Sequence, residues 1–198
     1  DGKGGPPNNG IVLGQYQSRV IDMASAYATI AASGVYHKPH FVQKVVNAEG
    51  TVLFDASQED NTGEQRIDKA VADNVIAAMQ PIAGYSGRGL AGGRPSAAKT
   101  GTNQLGDTGE NRDAWMVGFT PSLSTAVWVG TVDGTKPLIN ESGGSVYGSG
   151  LPGQIWKSTM DEALDGTENE TFPKPALLPA DTRGRARVRS LAMLVACD

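Results

Sequence analysis

"SAAKTGT", Ser96 to Thr102, admits three readings, and the local fold decides between them. Ser96-x-x-Lys99 has the spacing of a nucleophilic serine and its lysine. "GRPSAAKT" (93–100) approximates a phosphate-binding loop. Lys99-Thr100-Gly101 has the spacing of a strand element that lines a cleft. Side chains at i and i+3 meet on a helix, but on a strand they point to opposite faces. Arg94 and Pro95 precede the stretch, and Gly101 interrupts any helix two residues after Lys99. A polar loop and a β-hairpin pattern follow. The expectation is a strand over 96–102, with Ser96 turned away from Lys99 and the Ser-x-x-Lys match accidental. The phosphate loop fails separately. Ala98 stands where its second glycine should close on the phosphates, and no helix follows to aim its N-terminus at them.

Working outward, "DAWMVGFT" (113–120) and "STAVWVGT" (124–131) read as a hairpin around Pro121 and Ser122. Upstream, 18–33 places Val20, Met23, Ala24, Tyr27, Ala28 and Ala31 on one helical face, with Ser18 expected at the N-cap and Gly34 at C′. "FVQKVV" (41–46) and "TVLFD" (51–55) read as a second hairpin around "NAEG". Residues 68–80 read as a helix capped by Asp68 and stopped by Pro81. Residues 151–164 read as a closing helix with Ile155, Trp156, Thr159, Met160, Ala163 and Leu164 near one face. The order helix, two strands, helix, three strands, helix implies an α+β fold with an antiparallel sheet flanked by helices.

Bulk properties narrow the function. The 198 residues are enough for one domain with a core, or for part of a larger one. A net charge of −4 makes no electrostatic case for nucleic acid. The single cysteine, Cys197, excludes an internal disulfide and a cysteine metal cluster. No apolar run reaches the roughly 18–20 residues of a membrane helix. "DGKGGPPNNG" (1–10) is turn-rich and has no initiator Met, so the chain is expected to be cut from a longer one. The last stretch, from Lys174, carries a net +3 against −7 for everything before it. His37 and His40 flank Pro39 with no carboxylate cluster beside them, which argues against a metal site. Trp115, Trp128 and Trp156 are expected in the core.

"AAKTGT", the polar loop and "DAWMVGFTPSLSTAVWVG" together resemble the transpeptidase domain of class A, bifunctional penicillin-binding proteins. "LGQYQSRVIDMASAYATIAASGVYHKPHFVQKVVNAEGTVLF" resembles the segment leading to that strand, and "GGSVYGSGLPGQIWKSTM" is similar to the closing helix. The likeness covers about residues 10–173. It implies a serine D,D-transpeptidase that cross-links peptidoglycan stem peptides through an acyl-enzyme and is acylated by β-lactam antibiotics. The family uses three motifs: Ser-x-x-Lys, Ser-x-Asn and Lys-Thr-Gly. Only the last maps here. Lys99 is expected to contribute charge to catalysis. Thr100, Gly101 and Thr102 are expected to bind substrate, and the Thr102 N–H to be an oxyanion donor. Neither a cofactor nor a metal is implied.

Ser-x-Asn is absent, and the one Ser-x-x-Lys is the accidental one. The resemblance therefore implies the C-terminal part of a transpeptidase domain over 1–173, followed by a disordered basic tail over 174–198. It would be inactive alone. The nucleophile, the glycosyltransferase domain and the membrane anchor would lie upstream, on the extracytoplasmic face of a bacterial membrane. Two alternatives stay open: a D,D-carboxypeptidase or serine β-lactamase relative, and a non-catalytic interaction or peptidoglycan-binding module.

Overall fold

A computed structural model describes residues 16–59, 62–132 and 134–175. The turn-rich opening and the expected basic tail beyond residue 175, Cys197 included, lie outside the described residues. The elements run α1 (Val20–Ala31), β1 (Val35–Tyr36), β2 (Lys44–Val46), β3 (Val52–Asp55), β4 (Glu64–Gln65), α2 (Lys69–Tyr85), β5 (Ala97–Gln104), β6 (Asn111–Phe119), β7 (Ser124–Gly130) and α3 (Leu151–Ala163).

The centre is an antiparallel sheet in the order β5-β6-β7. Strand alternation gives it two faces. On one, Ala97 and Phe119 pack with Ile76 of α2, and Tyr27, Ile30 and Ala31 of α1 lie against them. On the other, Ala98 and Met116 pack with Trp156 and Met160 of α3. Trp156 is fully buried, and its indole lies over Gly118, where a Cβ would come within 2.7 Å of the ring. Helix α2 crosses the start of β5, so Ile76 joins the first layer and Ala83 the second. The arrangement holds the N-terminal end of β5 from both sides. Arg94, just before the strand, donates to the carbonyls of Leu164, Thr167 and Glu168 beyond α3. The Leu164 carbonyl, at the C-cap of α3, also accepts from the Thr167 N–H and hydroxyl, and a guanidinium suits a helix C-terminus.

Several expectations need correction. The first helix has Arg19, not Ser18, at its N-cap, and Arg19 makes no side-chain cap. At its other end Ser33, not Gly34, is C′, with φ +52°. The N–H of Ser33 bonds the Ile30 carbonyl and that of Gly34 the Thr29 carbonyl, a Schellman closure. A serine tolerates the position because its hydroxyl reaches Asp73 on α2 at 2.6 Å. The inward stripe of α1 includes Thr29 and Ile30, while Val20 and Ala28 are exposed. Pro81 does not stop α2, which Asp68 caps as expected and which continues to Tyr85. Proline costs one intrahelical bond, and the burial of Ile82 and Ala83 beyond it offsets the loss. On α3, Pro152, Gly153, Trp156 and Met160 turn inward, and Ile155, Thr159 and Ala163 stay outside. The seat of Trp156 on Gly118 sets that rotation. The pairing of β1 with β4, which closes the loop between α1 and α2, has no signal in two-residue strands.

Asp73 also receives Lys69 Nζ at 2.6 Å. Burial alone would raise its pKa. The hydrogen bonds from Lys69 and Ser33, with the Lys69 charge, outweigh burial, and the carboxyl titrates below its ordinary value. A depressed folded-state pKa adds stability that is complete above the unfolded value of about 3.9 and is lost as pH falls through the folded value. Asp73→Asn is expected to lower the melting temperature at neutral pH and to flatten its fall below about pH 4. Melting curves across pH 2–7 check this; parallel curves for the two proteins would remove Asp73 from the acid transition.

Candidate functional site

Lys99, Thr100, Gly101 and Thr102 lie consecutively on β5, paired with Val117, Met116, Trp115 and Ala114 of β6. The strand expected over 96–102 is observed over Ala97–Gln104, with Ser96 just before its first residue. Ser96 is buried beside the strand's start, and the alternation that governs 97–104 places it on the face opposite Lys99. The two cannot exchange a proton.

β5 is an edge strand of this sheet. The Thr100 carbonyl accepts from Lys99 Nζ at 2.8 Å, so it faces the unpaired edge. In a strand the N–H and C=O of residue i+2 face the same way as those of residue i. The Thr102 N–H and C=O are thus presented outward, where an extended peptide could add as a further strand. The Lys99 ammonium uses one of its three donors on Thr100. Among the described residues it forms no ion pair.

The same alternation divides the four residues. Lys99 and Gly101 share the face packed by α1 and α2, while Thr100 and Thr102 share the face packed by α3. A ligand that touches both sets must lie along the open edge, where the faces meet. A Cβ at Gly101 would meet the Trp115 Cβ at 3.4 Å, an ordinary contact, so packing within the sheet does not itself demand glycine there.

Trp115 and Trp128 are not core residues as expected from their type. Trp128 is 38% exposed and Trp115 half-buried; Trp156 alone of the three is interior. The two indoles lie tilted, centroids 6.3 Å apart, on the face that carries Lys99. Asp113 anchors them by accepting from Trp128 Nε1 at 2.8 Å. Arg112 Nε lies 3.1 Å from the other Asp113 oxygen but is not aligned as a hydrogen bond. Gly130 lets the Trp128 ring fold flat, since any Cβ there would overlap it.

A residue that sequence reasoning missed sits behind the strand. Gly148 donates its N–H to the Thr102 hydroxyl at 3.2 Å. No local pattern could have revealed this contact across 46 positions.

Comparisons with known proteins identify the family. A family described as the penicillin binding protein transpeptidase domain matches residues 16–161. Penicillin-binding protein 1A of Mycolicibacterium smegmatis is 80% identical over 176 residues, which are 88% of this chain and 22% of that protein. Penicillin-binding protein 1A of Mycobacterium tuberculosis is 78% identical over the same length and the same shares. The chain thus spans about a fifth of these relatives. Among solved structures, the penicillin-binding protein PonA1 from Mycobacterium tuberculosis superposes with a TM-score of 0.85 at 77% identity, covering 88% of this chain and 45% of that one. The same protein in complex with penicillin V gives 0.83 at 76% identity, covering 88% and 46%.

Proposed function

This chain belongs to the penicillin-binding protein transpeptidase family, and on that premise we propose that it forms the substrate-aligning wall of a peptidoglycan D,D-transpeptidase site. The observation that carries the proposal is a lysine without an ion pair among the described residues, on an edge strand whose Thr102 N–H faces outward.

In the proposed reaction a serine upstream of these residues attacks the carbonyl between two D-alanines of a stem peptide. The C–N bond breaks, the terminal D-alanine leaves with a proton on its amine, and an acyl-enzyme remains. An amine of a neighbouring stem then takes the acyl group and frees the serine. Lys99 supplies positive charge near the substrate carboxylate and polarises the site. Its effect is large because a cleft partly closed to water screens it weakly. The Thr100 and Thr102 hydroxyls donate to that carboxylate. The substrate backbone pairs with the outer edge of β5 over Gly101. The Thr102 N–H is one donor to the oxyanion, and the second comes from the segment that carries the serine. A β-lactam enters by the same route, its ring carbonyl in place of the peptide carbonyl.

The proposed partners are peptidoglycan stem peptides and β-lactam antibiotics. The proposed setting is the extracytoplasmic face of a bacterial membrane, with a glycosyltransferase domain in the same protein. No helix among the described residues is long and apolar enough to cross a membrane.

The test is a chimera in which residues 16–175 replace the matching segment of the 80%-identical Mycolicibacterium smegmatis relative. It is expected to be labelled by a fluorescent penicillin at a serine upstream of the exchanged segment, at a rate within a few-fold of the relative's own. A folded chimera that takes no label would sink the proposal.

A further inference from the structure

Gly148 belongs to a turn fixed at several points. Asn111 Nδ2 donates to the Val146 carbonyl at 3.0 Å in a buried position. The Val146 N–H bonds the Leu138 carbonyl at 2.9 Å, and the Gly150 N–H bonds the Tyr147 carbonyl at 2.9 Å. Arg88 Nε donates to the Ser149 carbonyl at 2.7 Å. The turn lies against β5 on the face opposite Lys99. Its closest approach is Gly148, which is buried. A Cβ there would overlap the Trp115 carbonyl oxygen and come within 2.8 Å of the Gly101 carbonyl oxygen and 3.0 Å of its nitrogen. Only glycine lets the turn seat on the backbone of the proposed substrate-binding strand.

That seat places one N–H on the Thr102 hydroxyl. A hydroxyl has one hydrogen and two lone pairs. With the Gly148 N–H on a lone pair, the oxygen is held in place and its hydrogen must point elsewhere. The Thr102 side chain lies on the α3 face beside the open edge, and among the described residues its hydroxyl donates to no protein acceptor, which leaves the hydrogen for a ligand reaching over that edge.

We infer that Gly148 is a positioning residue for carboxylate recognition: through its N–H it fixes the rotamer of Thr102 and directs the Thr102 O–H to the substrate or β-lactam carboxylate. The inference rests on the proposed role of Thr102. It adds a residue 46 positions away and a distinct contribution, orientation rather than contact. A threonine whose hydroxyl must be ordered during binding loses affinity to that ordering, and one already held does not.

The experiment uses the chimera and two probes, a penicillin with its free carboxylate and the methyl ester of the same penicillin. The quantity read is the ratio of their acylation rate constants. Thr102→Val is expected to lower the ratio at least tenfold, the scale of a lost hydrogen bond to a charged partner. Gly148→Ala is expected to lower it similarly. The turn is expected to retreat from the strand, because β5 is held to β6 by eight register pairs and the turn by fewer bonds. The double variant should be no worse than Thr102→Val alone. Arg88→Met, which frees the Ser149 carbonyl without adding atoms at the strand, should lower the ratio by a smaller factor, and it carries the test if Gly148→Ala does not fold. If Thr102→Val leaves the ratio unchanged, the role of Thr102 fails and the inference with it. If Thr102→Val lowers the ratio but Gly148→Ala and Arg88→Met do not, Thr102 stands and the inference is overturned. Equal loss with both probes in the Gly148 and Arg88 variants also overturns it, because a merely structural defect would not distinguish acid from ester.

Discussion

Incubated with a fluorescent penicillin, the 198-residue chain on its own is expected to acquire no stoichiometric covalent adduct. Acylation needs a serine whose proton has an acceptor and whose oxygen can face the lactam carbonyl. The sequence contains one Ser-x-x-Lys, at Ser96, and no Ser-x-Asn. Ser96 is buried at the start of β5, on the face away from Lys99. Ser33 does bond a carboxylate, that of Asp73, but the Lys69 and Ser33 bonds hold that group below the ordinary carboxylate range against the effect of burial, so it is a poor base. It also sits at the junction of α1 and α2, not on the open edge. Among the described residues one proposed oxyanion donor, the Thr102 N–H, works alone. Intact-mass spectrometry after penicillin treatment reads the result directly. A full adduct on any serine of this chain, Ser96 included, would overturn both the strand argument and the assignment of the nucleophile to other residues.

In the chimera, Lys99→Ala is expected to slow penicillin acylation by on the order of 10²–10³, the usual cost of removing one preorganised electrostatic group from an acyl-transfer site. Lys99 is unpaired among the described residues, so its charge is not already spent on a protein carboxylate, and nothing else on β5 can replace it. Lys99→Arg should recover only part of the rate, because a planar fork does not reproduce the point charge of an ammonium. Ser96→Ala should stay within about threefold of the parent; it removes one hydroxyl behind the strand, well under the cost of a lost oxyanion-type donor. Rate constants from stopped-flow quenching or gel fluorescence separate these variants. A Ser96 variant as slow as the Lys99 variant would show that the two side chains act together.

Much of this was legible in residue order because the signals are local. Pro95 and Gly101 around a short alternating run, followed by two β-rich runs and a turn, specify strands whatever lies across from them. The Asp68 cap and the short hairpin between 44 and 55 are likewise matters of neighbouring residues. The family likeness was legible because its motif sits in a long, specific context rather than in three residues.

The misses have a common cause. Pro81 reads as a stop because the sequence shows the lost hydrogen bond but not the buried seats of Ile82 and Ala83. Ser33 takes the left-handed position because Asp73, forty residues on, receives its hydroxyl. Trp115 and Trp128 look like core by type, and only the structure shows Trp115 half-buried and Trp128 exposed, held to Asp113 beside Gly130.

By itself, then, residue order determined that Ser96 and Lys99 face apart, that Lys99, Thr100, Gly101 and Thr102 share one strand, and that the chain has the composition and motif of its family. Backbone alternation is a property of consecutive residues and needs no partner. Only the tertiary structure decided that this strand is an edge, that its lysine meets no carboxylate among the described residues, and that Gly148 lies against its back. Those depend on which distant segments pack together, and packing is set by shape and burial across the whole fold rather than by any local spacing.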